Sequence, residues 1–245
     1  MAHADPLDGA RLRNERAREH LTQFRREIET IYEHFSRHFA GTHPETGGYA
    51  VMFPEVREPP PALAVIFGET IYNLRAALDY VVFELATHDS GVEQEGTQFP
   101  IEDREDVFRQ TRRTTYLKGL SEEHIALIES YQPYKGCDWT GTLRRLSNPD
   151  KHRKLHLLVS ELDPDVAVSA GWRFDAKDLS LFDPGDADAE TRREQVYIGR
   201  SRHVEVQLTL AVSVTVADGI PAVETLEQVE REVDALIKRF RPLFD

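Results

Sequence analysis

Residues 144–156 gather an unusual set of side chains: Arg144-Arg145-Leu146-Ser147-Asn148-Pro149-Asp150-Lys151-His152-Arg153-Lys154-Leu155-His156. Five basic residues against one acid, Asp150, give the segment +4 in a chain of net charge −13. Positive charge collected against the overall sign suits an anionic ligand, or buried carboxylates that need counter-charges. Asn148 as cap and Pro149 at the first helical position predict a helix start, with Arg145 and His152 at that start. A guanidinium there can hold a phosphate through two parallel hydrogen bonds, and the helix N-terminus adds partial positive charge. An imidazole of near-neutral pKa can take a proton from a ribose 2′-hydroxyl or return one to the leaving oxygen. Those parts suffice for metal-free RNA cleavage.

Two other readings use the same residues. In the structural one, His152 with Arg145 or Arg153 satisfies Glu69, Asn73 and Asp79 on a buried helix, a polar seam that fixes helix register. In the metal reading, His152 and His156 are four apart and can point to one side of a helix, with Asp150, Glu69 or Asp79 completing the set. Lys151, Arg153 and Lys154 would repel a cation there, so no metal and no other cofactor is expected. Under the structural and phosphate readings alike, Glu69, Asn73, Asp79, Arg145, Asn148, Asp150, Lys151, His152 and Arg153 should meet in one polar centre.

Other candidates are weaker. Arg109, Arg112, Arg113 and Lys118 form a second cluster with no acid inside it. Cys137 lacks the electropositive setting a reactive thiol needs and reads as a part-buried small residue. The acidic loop Asp183–Glu190 lacks the ligand order of a calcium-binding loop. Walker, dinucleotide-binding, nucleophile-elbow and His-Glu-x-x-His motifs are absent from the sequence.

Helical periodicity supplies the elements that would position these residues. Ala17, Leu21, Phe24, Ile28, Ile31, Phe35 and Phe39 predict a long amphipathic helix over 10–39. A short strand is expected at 49–56. A second helix over 62–87 is apolar nearly all round, so it should be central, yet it carries Glu69, Asn73, Arg75 and Asp79. Buried polar groups need partners. Short helices are predicted at 103–112, 121–131 and 139–146, the helix opened by Asn148-Pro149 runs to about Leu162, and a final amphipathic helix starts at Pro221. Between them, 166–174, 195–198 and 204–216 alternate and are rich in Val, Ile and Thr, which predicts an antiparallel sheet.

The class that follows is α+β: a mainly helical bundle over 1–162, then a small antiparallel sheet and a closing helix over 163–245, packed as one unit. At 245 residues, 40 % hydrophobic and 30 % charged, the chain can bury a sizeable core. Its acidity argues against a surface that coats itself with nucleic acid or anionic lipid, although a local basic site can still take RNA or another anionic ligand. The single cysteine excludes an internal disulfide. No apolar run approaches the roughly 18 residues of a membrane span, and Met1–Asp5 has no signal pattern, so a cytoplasmic protein with no membrane partner is expected.

The residues Asn73-Leu-Arg75-Ala-Ala-Leu78-Asp79-Tyr80, Phe99-Pro100-Ile101, Gln132-Pro133-Tyr134 and Asn148-Pro-Asp150-Lys151-His152-Arg153 resemble a family of uncharacterised bacterial proteins, mainly actinobacterial. In that family the first motif commonly ends Leu-Asp-His, where this chain has Tyr80. The likeness implies kinship and no particular reaction. Arg145 and His152 also resemble, more loosely, the Arg-and-His site of HEPN domains, with Leu146 and Pro149 as departures. That resemblance implies a helical bundle, a homodimer and a metal-independent ribonuclease with Arg145 and His152 as catalytic residues.

Overall fold

A computed structural model of the protein describes residues 5–36, 41–42, 49–52, 60–111, 115–147, 155–160, 180–181, 195–198, 211–216 and 220–245. These residues are mainly helical. The helices are α1 (Asp8–Ser36), α2 (Pro61–Ser90), α3 (Glu105–Thr111), α4 (Glu122–Glu129), α5 (Asp138–Leu146) and α6 (Ala222–Phe240). The strands, all short, are β1 (Gly41–Thr42), β2 (Tyr49–Met52), β3 (Leu155–Ser160), β4 (Ser180–Leu181), β5 (Gln195–Ile198), β6 (Ala211–Val216) and β7 (Ile220–Pro221).

Two compact units interleave along the chain. One holds 1–25, 60–155 and 216–245; the other holds 26–59 and 156–215. The sequence suggests a boundary after 162. Instead the C-terminal α6 belongs with the helices, and 26–59 groups with the strands.

In the helical unit, α2 is the centre. Pro61 suits its first turn, where a missing N–H costs nothing. Gly91 ends it at φ 73°, donating its N–H to Thr87 O, because a residue without Cβ adopts the left-handed conformation freely. Leu63, Phe67, Leu74, Leu78, Val81, Val82 and Leu85 are fully buried. Leu7, just before α1, and the α1 face made by Ala10, Ala17, Leu21 and Phe24 are buried too, and Phe24 meets Phe67 at 5.9 Å between ring centres. From α6, Leu226, Val229, Val233, Leu236, Ile237 and Phe240 complete the core. Burying a side chain of this size contributes about 1.5–3 kcal/mol. Polar ties fix the register of α1 against α6. Arg18 donates to Glu230 Oε1 from Nη2 at 2.6 Å and from Nε at 3.1 Å, Asn14 Nδ2 donates to the same oxygen at 3.0 Å, and Arg25 pairs with Glu227.

In the other unit, β2 pairs antiparallel with both β1 and β5, Tyr49 lying opposite Ile198 and Met52 opposite Gln195. β4 pairs antiparallel with β5. β3 lies beside β6. Segments 166–174 and 204–210 of the expected sheet lie outside the described residues.

One prediction fails in kind. Residues 155–160 form β3, not the expected continuation of a helix to Leu162. Leu155, Leu158 and Val159 fit a helical stripe, but Leu-His-Leu-Leu-Val is apolar at nearly every position. A short run of that sort carries no decisive period.

Candidate functional site

Glu69, Asn73, Arg75 and Asp79 of α2 each have partners among the described residues. Asn73 is buried; its Nδ2 donates to Glu69 O at 2.8 Å and its Oδ1 accepts from Arg13 Nη1 at 3.3 Å. The Glu69 carboxylate faces His20 Nδ1 at 3.4 Å. Both partners come from α1. Arg13 also lies over the Tyr80 ring, 5.6 Å from its centre. Of the expected counterparts, residues 148–153 lie outside the described residues; among the described ones, α1 serves Glu69 and Asn73.

Asp79 belongs to another arrangement. Its Oδ1 accepts the N–H of Phe99 at 2.8 Å, while Arg75, one turn earlier and 3.7 Å from that oxygen, donates to the Phe99 carbonyl at 3.1 Å. Burial pushes the Asp79 carboxyl above its ordinary range, opposed by Arg75 and by the Phe99 N–H. Burial also lowers the Arg75 pKa, against the pull of Asp79. Three residues on, Gln132 repeats the clamp from the opposite edge. Fully buried, it donates to Pro100 O at 2.8 Å and to Ile128 O at 3.1 Å, and its Oε1 accepts from Glu102 N at 2.9 Å. The segment Phe99–Glu102 is therefore held by side chains on both edges without a strand beside it. Arg144 fastens its end through Asp103 and, at 3.7 Å, Glu102. The motifs around residues 73–80, 99–101 and 132–134 thus meet in space as one structural assembly.

Arg145 stands apart from this assembly. It is exposed in the last turn of α5, and its Nη2 donates to Thr142 Oγ1 at 3.0 Å. Asn148, Asp150, Lys151, His152 and Arg153 lie outside the described residues, as does the acidic loop 183–190. Among the described residues no group of three or more His, Cys, Asp or Glu could hold a metal ion. Arg109 of the second basic cluster is paired with Glu105 at 2.5 Å, a carboxylate one turn earlier that the cluster's own composition hides. Cys137 is half-buried, and burial raises its thiol pKa, so the thiol stays protonated.

One cluster is not evident from the sequence. Asp89, near the end of α2, accepts from Ser121 N at 2.7 Å and meets His124 Nδ1 at 2.8 Å through the same Oδ2. Ser121 in turn caps α4, its Oγ accepting from His124 N at 3.3 Å. Burial acts to raise the Asp89 carboxyl, but the Ser121 amide and His124 outweigh it and the pKa falls below the ordinary value. The one sequence signal was the capping serine. No spacing rule links it to an acid 32 residues earlier.

No family model, curated protein or solved structure matches the chain. Among the described residues no helix is long and apolar enough to cross a membrane.

Proposed function

We propose that the chain is a non-catalytic binding or assembly module, cytoplasmic, with a helical bundle held by internal polar bonds and a second unit that carries the strands. The observation that supports this reading is the use of the motif residues: Asn73, Arg75, Asp79 and Gln132 each bond to another part of the same chain. Each of these residues uses at least one polar atom to hold the fold. The basic segment 144–156 is then a docking place for RNA or another anionic ligand, bound without turnover.

A second reading, a HEPN-like metal-independent ribonuclease, draws on one fact. The exposed Arg145 guanidinium is held only by a neutral hydroxyl among the described residues. In it, Arg145 grips phosphate and His152 moves protons.

One experiment separates the two. Single-stranded RNA is incubated with the wild-type chain and with His152→Ala in the presence of a chelator, and both are melted. Absent or equal cleavage in the two, with a lower melting temperature for the variant, supports the module. Cleavage by the wild type alone overturns it in favour of the ribonuclease.

A further inference from the structure

A cavity of about 350 Å³ opens between the turn that links α4 to α5 and the face of α6 that carries Gln228 and Arg239. None of residues 144–156 lines it. It is open to solvent, and its volume lies at the lower end of the range of small-molecule sites. Tyr131 and Trp139 form its rings, edge to face at 6.3 Å. Lys135, Asp138, Gln228 and Arg239 supply its polar lining.

Arg239 lies over Tyr131, 5.7 Å from the ring centre, and Lys135 is nearby, shared with Glu129 at 3.3 Å. Asp138 stands on the α5 side, beside Cys137. Tyr131 feels Arg239 first and Glu232 after it, and Cys137 feels Glu232 and Asp138. Among the described residues no ion pair joins Asp138 and Arg239, although both line the cavity. Two unlike charges held apart beside two aromatic rings match a ligand that carries both charges and a flat apolar group.

We propose that this cavity is a binding site for a free aromatic amino acid, its carboxylate toward Arg239 and its ammonium toward Asp138. The ring rests against Tyr131 and Trp139.

Calorimetric titration of the full chain tests this with L-phenylalanine, phenylacetate and phenethylamine. Phenylalanine should bind at least about tenfold more tightly than either singly charged analogue. Arg239→Gln should weaken phenylalanine and phenylacetate but leave phenethylamine unchanged. Asp138→Asn should weaken phenylalanine and phenethylamine but leave phenylacetate unchanged. Both positions are exposed, and unaltered melting of each variant verifies that the fold is kept. No saturable heat with phenylalanine up to about 10 mM, equal affinity for all three probes, or indifference to both substitutions would overturn the site.

Discussion

Arg75 and Asp79, one helical turn apart on α2, grip the same distant residue by its two main-chain groups. Asp79 takes the Phe99 N–H at 2.8 Å and Arg75 gives to the Phe99 carbonyl at 3.1 Å. The pair does for Phe99 what a neighbouring strand does in a sheet.

Removing one jaw leaves a buried donor unsatisfied. Asp79→Ala strands the Phe99 amide and deprives Arg75 of its nearest charge, so urea titration should show a loss of about 1–3 kcal/mol. Asp79→Asn keeps an oxygen acceptor and should lose less. Equal losses would mean that the charge, not the hydrogen bond, matters.

Gln132 makes three bonds with one fully buried side chain. Gln132→Ala should cost more than Asp79→Ala. Gln132→Glu retains the acceptor for Glu102 N but in its charged form cannot donate to Pro100 O or Ile128 O. Its midpoint in urea should rise as pH falls and the carboxyl regains a proton. A pH-independent midpoint would contradict the bonding described.

The two perturbed carboxyls act on acid stability in opposite senses. Asp89 is lowered in the folded state, so it adds stability above its unfolded pKa of about 3.9, and this is lost as pH falls through the folded value. Asp79 is raised, so its contribution declines as pH climbs from the unfolded value through the folded one. Urea midpoints between pH 3 and 6 should therefore fall less steeply toward acid in Asp89→Asn than in wild type, and more steeply in Asp79→Asn.

Gly9 on α1 has no room for a side chain. A Cβ there would lie 2.6 Å from Tyr80 Cδ1 and 2.8 Å from Cε1, rigid ring atoms that Arg13 also covers. Alanine has the better helix propensity by about 1 kcal/mol, yet Gly9→Ala should lower the melting temperature. A rise would show that the ring swings away at no cost.

Periodicity made the helical faces legible: Leu21 and Phe24 of α1, Leu74 and Leu78 of α2, and Val229 and Val233 of α6 are all buried. The demand for partners around Asn73 and Asp79 was legible as well. Which groups answer it was not, because Arg13 meets Asn73 across 60 residues and no local pattern encodes that pairing. The i, i+4 spacing of Arg75 and Asp79 was visible, but it predicts a surface pair; only the chain crossing at Phe99 makes it a clamp. Gln132 looked like a helix ending before proline, and its buried role had no signature. At 155–160 an apolar run without a clear period read as helix and forms a strand.

Because Phe99–Glu102 borrows its partners from α2 and from residue 132, it can release its main chain only when those helices part. The amide protons of Phe99 and Glu102 should then exchange with solvent as slowly as those in the middle of α2, though neither residue sits in a helix or a strand. A stretch of irregular chain would in this way report the opening of the whole helical unit.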